Sequence, residues 1–307
     1  MKKYFLYLIF CFIFSFSIFA ESFTIMSFNL LGAKRGHTKD NLEWINNLTK
    51  IIITSKADIV LLQEVPQRYS EELEKNSFAD VLTTSLGSQW HYRTSAAYSN
   101  CSYNLNNAIL YKDSSILILR EINNSEFDLK YKNVQMVEFS LRKEKEKKFY
   151  VINLHLPFDR SNMNHPSNEM RQELNAIKNL VYDRRFPIIF GGDFNMTRRE
   201  LIRETQFSNG RYTIDGNGSL FYDEQGLLTT VSTSGDAKGI KLASDYDHFI
   251  VNNYFVIKKD MKRVFTNLAS NSRTCDKIQI GKNLYTSSVS FMDGVSDHLP
   301  IMIVVEY

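Results

Sequence analysis

Short blocks of consecutive apolar residues, rich in Val, Ile, Phe and Tyr, recur along the chain and are closed by polar residues. They fall at 23–28, 59–62, 108–111, 116–119, 134–139, 149–154, 188–190, 249–251 and 301–305. A strand covered on both faces has no polar side to alternate, so these blocks predict buried strands. Helical spacing occurs twice, at Leu42, Ile45, Leu48, Ile52 and at Met170, Leu174, Ile177, Val181. Apolar residues three to four apart share one helix face, which predicts two amphipathic helices. Thr38 or Asp40 is a suitable N-cap for the first, and Ser167, after Pro166, for the second. Strands outnumber helices in this pattern.

The mixed-sign run Arg142, Lys143, Glu144, Lys145, Glu146, Lys147, Lys148 joins two of the strand blocks. Alternating charges suit a solvated hairpin tip better than a nucleic-acid patch. From 208 to 243 the chain is rich in Gly, Ser, Thr and Asn, which predicts long surface loops with short strands. No linker, repeat or low-complexity tract divides it.

The beginning reads differently. Lys2 and Lys3 precede a nearly unbroken apolar run from Tyr4 to Phe19, closed by Ala20. A basic start, a short apolar stretch and a small residue at its end make a Sec signal peptide over 1–20, shorter than the roughly 20 residues of a bilayer span. Cys11 sits too early, behind Phe10, for a lipoprotein site. The expectation is a secreted or periplasmic protein with a single domain over 21–307. Removing Lys2 and Lys3 brings 37 basic residues close to parity with 34 acidic ones, so global charge gives no support for nucleic-acid binding. Cys101 and Cys275 remain, enough for one disulfide but not for a metal signature.

Reactive side chains gather where the apolar blocks end: Phe28-Asn29, Gln63-Glu64, Asn153-Leu154-His155 and Gly192-Asp193-Phe194-Asn195. Ser296-Asp297-His298 comes just before a block, as expected of a strand running the other way and starting at the same rim. Each residue alone has an ordinary reading, since Asp and Asn are turn formers and a lone histidine is more often structural. Five junctions ending in carboxylate, amide or imidazole are hard to obtain from turn chemistry, and layered α/β proteins build sites at strand ends. Carboxylates and amides are hard oxygen donors that suit Mg²⁺, Mn²⁺ or Ca²⁺, whereas zinc favours closely spaced Cys and His. Such a metal polarises phosphoryl oxygens while histidines move protons near neutral pH, which points to phosphoester hydrolysis.

The ordered set Phe28-Asn29, Gln63-Glu64, Asn153-Leu154-His155, Gly192-Asp193-Phe194-Asn195, Asp245-Tyr246-Asp247-His248 and Ser296-Asp297-His298-Leu299-Pro300 resembles the endonuclease/exonuclease/phosphatase superfamily. Within it the chain is similar to deoxyribonuclease I and the nuclease subunit of cytolethal distending toxins. The resemblance implies an α+β fold, a four-layer α/β/β/α sandwich with its site at one rim. It implies metal ligation by Glu64, Asn29 and Asp297, with Mg²⁺ expected. It makes Asp193 the residue that orients or deprotonates water, Asn195 a contact to the scissile phosphate, and Asp247 rather than Asp245 the partner of His298. His155 would assist the leaving oxygen or bind phosphate; where deoxyribonuclease I has a glutamate to pair with it, this chain has Leu105 and Asn106 before Asn107. His248 is expected behind the site, and His37, His91 and His165 outside it.

The implied function is a secreted DNA endonuclease, with Arg68 and Arg160 as candidate backbone contacts. The alternative is a phosphatase or sphingomyelinase-type esterase on lipid or inositol phosphates, although 194–226 is too polar to offer an aromatic membrane hairpin. A third reading is a toxin-type subunit working with an assembly partner, and the complete set of site residues argues against a vestigial site.

Overall fold

The structure, a computed structural model, describes residues 21–30, 41–66, 77–95, 105–122, 134–156, 172, 174–175, 186–203, 212–216, 231–232, 240–242, 244–264, 274–275, 278–280, 283–285, 296 and 298–307. The leader, the caps Thr38, Asp40 and Ser167, most of the second predicted helix, Cys101, His37 and His165 lie outside these residues. Among the described residues no helix is long and apolar enough to cross a membrane.

Two six-stranded sheets dominate. The first contains β1 (Ser22–Asn29), β2 (Ile59–Pro66), β3 (Trp90–Thr94), β4 (Leu105–Lys112), β13 (Val256–Arg263) and β17 (Ile301–Glu306), in the order β13-β17-β1-β2-β4-β3. The second contains β5 (Ile116–Ile122), β6 (Val134–Leu141), β7 (Lys148–His155), β8 (Ile188–Asp193), β9 (Tyr212–Ile214) and β12 (Asp247–Asn252), in the order β5-β6-β7-β8-β12-β9. The short strands β10 (Val231–Ser232), β11 (Ile240–Leu242) and β14 (Thr274–Cys275) form a small sheet, and β15 (Ile278–Ile280) pairs with β16 (Asn283–Tyr285). All nine predicted strand blocks form strands, and the loop-like stretch 208–243 holds short ones where it is described. The charged run is the β6–β7 turn, where Lys147 pairs with Glu144 at 2.6 Å.

Three apolar layers follow from these faces. Helix α1 (Asn41–Ser55) buries Ile45, Leu48 and Ile52 of the stripe read from the sequence, together with Trp44, on the outer face of the first sheet. Helix α2 (Phe78–Leu86) joins it through Phe78, Leu82 and Leu86. Sequence patterning passed over α2, yet its start is well marked: Ser77 accepts from Asp80 N at 3.1 Å and the Asp80 carboxylate accepts from Ser77 N at 3.0 Å. Ile25, Leu61, Ile109, Phe149, Val151, Ile189 and Phe249 fill the space between the sheets. Leu174, Phe194, Met196 and Leu201 of α3 (Arg198–Arg203) cover the outer face of the second. This is the α/β/β/α sandwich that the sequence motifs imply.

Glycine permits a close approach of the two sheets. A Cβ on Gly191 would fall 2.5 Å from Leu61 Cδ1 of the opposite sheet, and Gly192, at φ +145°, would put one against the Leu154 carbonyl. Toward the same end the interior turns polar. Gln63 Nε2 donates to Ser27 Oγ (3.1 Å) and Asn153 Oδ1 (2.8 Å), while Asn153 Nδ2 donates across the gap to the Leu62 and Ala108 carbonyls, each at 3.0 Å. Asn107 Nδ2 returns to the Asn153 carbonyl at 3.3 Å. These amides are buried, so each bond replaces one that water would have made.

Replacing Asn153 by Leu takes one acceptor from the buried Gln63 amide and the side-chain donor from the Leu62 and Ala108 carbonyls. The expected loss is about 2–4 kcal/mol in denaturant-unfolding stability, since an orphaned buried polar group costs about 1–3 kcal/mol. A loss below 1 kcal/mol, on the order of a surface substitution, would show that the seam is not structural.

Candidate active site

Six strand ends meet at one rim because of how the sheets are wired. β1 and β2 run parallel with Asn29 opposite Gln63, and β7 and β8 run parallel with His155 opposite Asp193. All four therefore finish together. β12 and β17 run antiparallel to β8 and β1, pairing Asp247 with Asp193 and Ile301 with Ser27, so Asp247, Ser296 and His298 begin where the others end. The reversed order of the C-terminal motif has this topological cause.

Asp193 is the centre of the set. It is buried to 1 % exposure, and its Oδ2 accepts from Asn29 Nδ2 of the opposite sheet at 3.0 Å. His298 Nε2 lies 3.6 Å and His155 Nε2 3.7 Å from the same oxygen. Asp193 Oδ1 accepts from Asn195 N at 2.8 Å, which folds the turn after β8 back on the carboxylate. His298 Nδ1 donates to Asp247 Oδ2 at 2.8 Å, fixing the ring so that Nε2 faces Asp193. Asp245 bonds Arg198 N at 3.0 Å instead, so Asp247 is the partner of His298. Ser296 Oγ donates to the Asn29 carbonyl and accepts from His298 N, tying the last strand to the first.

Glu64 stands at the mouth through a β-bulge. Leu62 faces Ala108 while Val65 faces Asn106, so β2 has one residue more than β4 over this interval, and Glu64 takes a left-handed φ of 52°. Bulges re-aim side chains, and here the extra residue brings Glu64 Oε1 to 3.5 Å from Asn29 Nδ2 and 3.9 Å from His155 Nε2. Asn195 has a φ of 48°, the second strained non-glycine residue of the site. Its amide donates to the Leu156 carbonyl at 2.6 Å, leaving the second N–H of the amide for another acceptor.

Behind the rim lies a buried ion pair that sequence reasoning did not find. His248 is fully buried, with Nδ1 2.7 Å from Asp215 Oδ2 and Nε2 2.9 Å from the Met196 carbonyl. Both neighbours are acceptors, so both ring nitrogens carry hydrogen and the ring is a cation. Burial opposes that charge, but the Asp215 carboxylate outweighs it and pushes the pKa up to about 9. Burial acts in the opposite direction on the carboxyl of Asp245, whose pKa it raises. Asp215 also accepts from Phe249 N at 2.8 Å, and Arg198 Nε lies 3.9 Å away. The cluster holds Met196, next to Asn195, and so fixes the turn that carries Asn195. Asp215 escaped notice because Asp215-Gly216 reads as a plain turn within a loop-like stretch.

The structure brings Asn29, Glu64, His155, Asp193, Asn195, Asp247 and His298 together, and places His91 at the edge strand β3 with Asp113 3.4 Å away. Asp297, Arg68 and Arg160 lie outside the described residues. Asp193, Asp247 and His298 offer donor atoms within 4.8 Å of one another. The 2.8 Å contact between His298 and Asp247 has hydrogen-bond length, however, and makes these two a proton-carrying couple. Glu64 and Asn29, oxygen donors at the mouth, fit a hard divalent cation better.

The profile of the Endonuclease/Exonuclease/phosphatase family matches residues 26–298, spanning every one of these strand ends. The chain belongs to this family. Its members are hydrolases of phosphoester bonds and typically depend on a divalent metal. Among solved structures, the family protein from Bacteroides vulgatus is 15% identical with a TM-score of 0.61, over 93% of this chain and 99% of that one. TDP2 of D. rerio, complexed with single strand DNA product, is 13% identical with a TM-score of 0.58, over 94% and 100%. A mannosyl-6-phosphatase of Bacteroides thetaiotaomicron is 14% identical with a TM-score of 0.58, over 93% and 100%. At these identities the likeness shows the shared fold. No curated protein matches the sequence.

The His248 cation sets a pH dependence. The folded ring holds its proton to about 9, against 6.5 for an ordinary histidine, so its stabilisation is whole below 6.5 and lost as pH rises through about 9. Urea midpoints measured across that window should fall for the wild type and fall less for His248→Gln. Equal slopes would mean that His248 is neutral in the folded protein.

Proposed function

We propose that the protein is a secreted, Mg²⁺-dependent DNA endonuclease that hydrolyses phosphodiester bonds by in-line attack of water. The observation that carries this reading is the convergence of two imidazoles, His155 and His298, on the one carboxylate of Asp193. A phosphodiester has a poor leaving oxygen that needs a proton, and its attacking water must lose one. A carboxylate between two histidines serves both demands.

In this scheme Asp193 orients the water and takes its proton as the new P–O bond forms. His155 gives a proton to the departing oxygen as the old P–O bond breaks. His298 stays oriented by Asp247, and the second amide N–H of Asn195 holds a non-bridging phosphate oxygen. A divalent cation held by Glu64, Asn29 and Asp297 supplies polarisation of a phosphoryl oxygen and offsets the charge that builds on it. Arg68 and Arg160 are proposed as contacts to neighbouring phosphates. Export rests on the signal-like sequence over 1–20.

A second reading, a phosphomonoesterase, has its own support. The mannosyl-6-phosphatase shares the fold over nearly the whole chain, and the near balance of basic and acidic residues provides no general attraction for DNA. Purified protein incubated with supercoiled plasmid and Mg²⁺, beside sphingomyelin, inositol phosphates and a sugar phosphate, separates the two. Nicking and linearisation of the plasmid are expected. Turnover of only a monoester or lipid would refute the endonuclease reading.

His298→Ala and Asp193→Ala should each lower kcat by about 10²–10⁴-fold, the usual range for loss of an acid–base group. Glu64→Ala should raise the Mg²⁺ concentration needed for half-maximal rate, and full activity without that shift would remove Glu64 from the metal site.

A further inference from the structure

At the far end of β1 from the catalytic rim is a concave pocket of about 320 Å³, lined by Thr24, Thr54, Ser55, Lys56, Lys259, Lys262, Val264, Met302 and Val304. Thr24 precedes Asn29 by five residues along the strand, which puts the pocket roughly 15–17 Å from the reacting groups. Its volume lies in the range of small-ligand sites. Val264 and Met302 are buried and make an apolar floor, while the three lysines are exposed.

The lysines are brought together by irregular backbone. Lys259 and Lys262 are an odd number of residues apart, so in a regular strand they would point to opposite faces. β13 pairs Lys259 with Val304 and Lys262 with Met302, and the extra residue between them turns both lysines to the same face. Lys56 arrives from the turn between α1 and β2, where its φ is 58°, and its amide bonds the Ile53 carbonyl at 3.2 Å. Lysines on a bulged edge strand also discourage pairing with other chains. That purpose requires neither a third lysine from a separate turn nor an apolar floor between them.

Among the described residues no carboxylate lines this pocket or pairs with these lysines. Of the acids nearby, Glu306 is paired with Lys258 at 2.9 Å, and Asp58, beside the pocket, accepts from the backbone N–H of the lining residue Thr24 at 2.9 Å. Three ammonium groups facing one cavity repel one another unless an anion joins them. A nucleic acid would be met by a stripe of basic residues along a surface, whereas these three lysines ring a single concavity.

We infer that the pocket binds a small phosphate-bearing organic anion, with the phosphate between Lys56 and the Lys259, Lys262 pair and the organic part against Met302 and Val304. Amide-resolved NMR of the ¹⁵N-labelled full chain tests this, with inorganic phosphate and phenylphosphonate as probes. Saturable shifts are expected at Thr24, Lys56, Val264 and Val304, with phenylphosphonate the tighter of the two. The Lys259→Glu/Lys262→Glu variant should weaken binding at least about tenfold, equivalent to 1.4 kcal/mol. Lys56→Asn, whose side chain tolerates a left-handed φ, gives an independent reading and should weaken it too. Shifts confined to Asn29, Asp193 and His298, or unchanged affinity in both variants, would overturn the assignment. So would tighter binding of a single-stranded oligonucleotide at the same amides.

Discussion

Asn29 ends a strand of one sheet and Asp193 ends a strand of the other, and a 3.0 Å hydrogen bond joins them. That contact requires the two sheets to press together at this rim and nowhere to slip by a residue, because a one-residue shift would turn either side chain away. The apolar filling between the sheets supplies the adhesion, Gly191 permits the approach, and the amides of Gln63, Asn107 and Asn153 fix the alignment. His298 and Asp247 repeat the arrangement, the first leading into β17 and the second opening β12. The site is therefore made by the packing of two sheets.

Such a rim concentrates charge where water is scarce, and the surrounding structure answers it. Asp193 has two donors for its carboxylate and two imidazoles close by. The His248 cation and the Asp215 anion neutralise each other beneath the turn that carries Asn195. Glu64 and Asn195 retain left-handed backbone, a cost of order 1–3 kcal/mol each that persists only where neighbouring structure compels it. Rigid placement of this kind is what phosphoryl transfer asks of a protein, since positioning and electrostatics do most of the work.

Much of this was legible in the sequence. Strands buried on both faces announce themselves as uninterrupted apolar runs, and all nine such runs became strands. Residues just beyond those runs had to fall at strand ends, so Asn29, Glu64, His155 and Asp193 are marked by their place in the sequence. Three things were hidden. The amphipathic register of α2 is too short to stand out, and its capping box is recognisable only once a helix is suspected. β13 carries bulges, which scramble the alternation that marks an edge strand. Asp215 pairs with both His248 and Arg198 through contacts distant in sequence, and no local pattern records them.

His298 and Asp247 act as one unit across the two sheets, and a double-mutant cycle on kcat measures that directly. Asp247→Asn and His298→Ala should each reduce kcat, and the double variant should be scarcely slower than His298→Ala alone, because the aspartate acts through the ring. Losses that multiply in the double variant would show two independent groups and contradict a site assembled by the joining of the sheets.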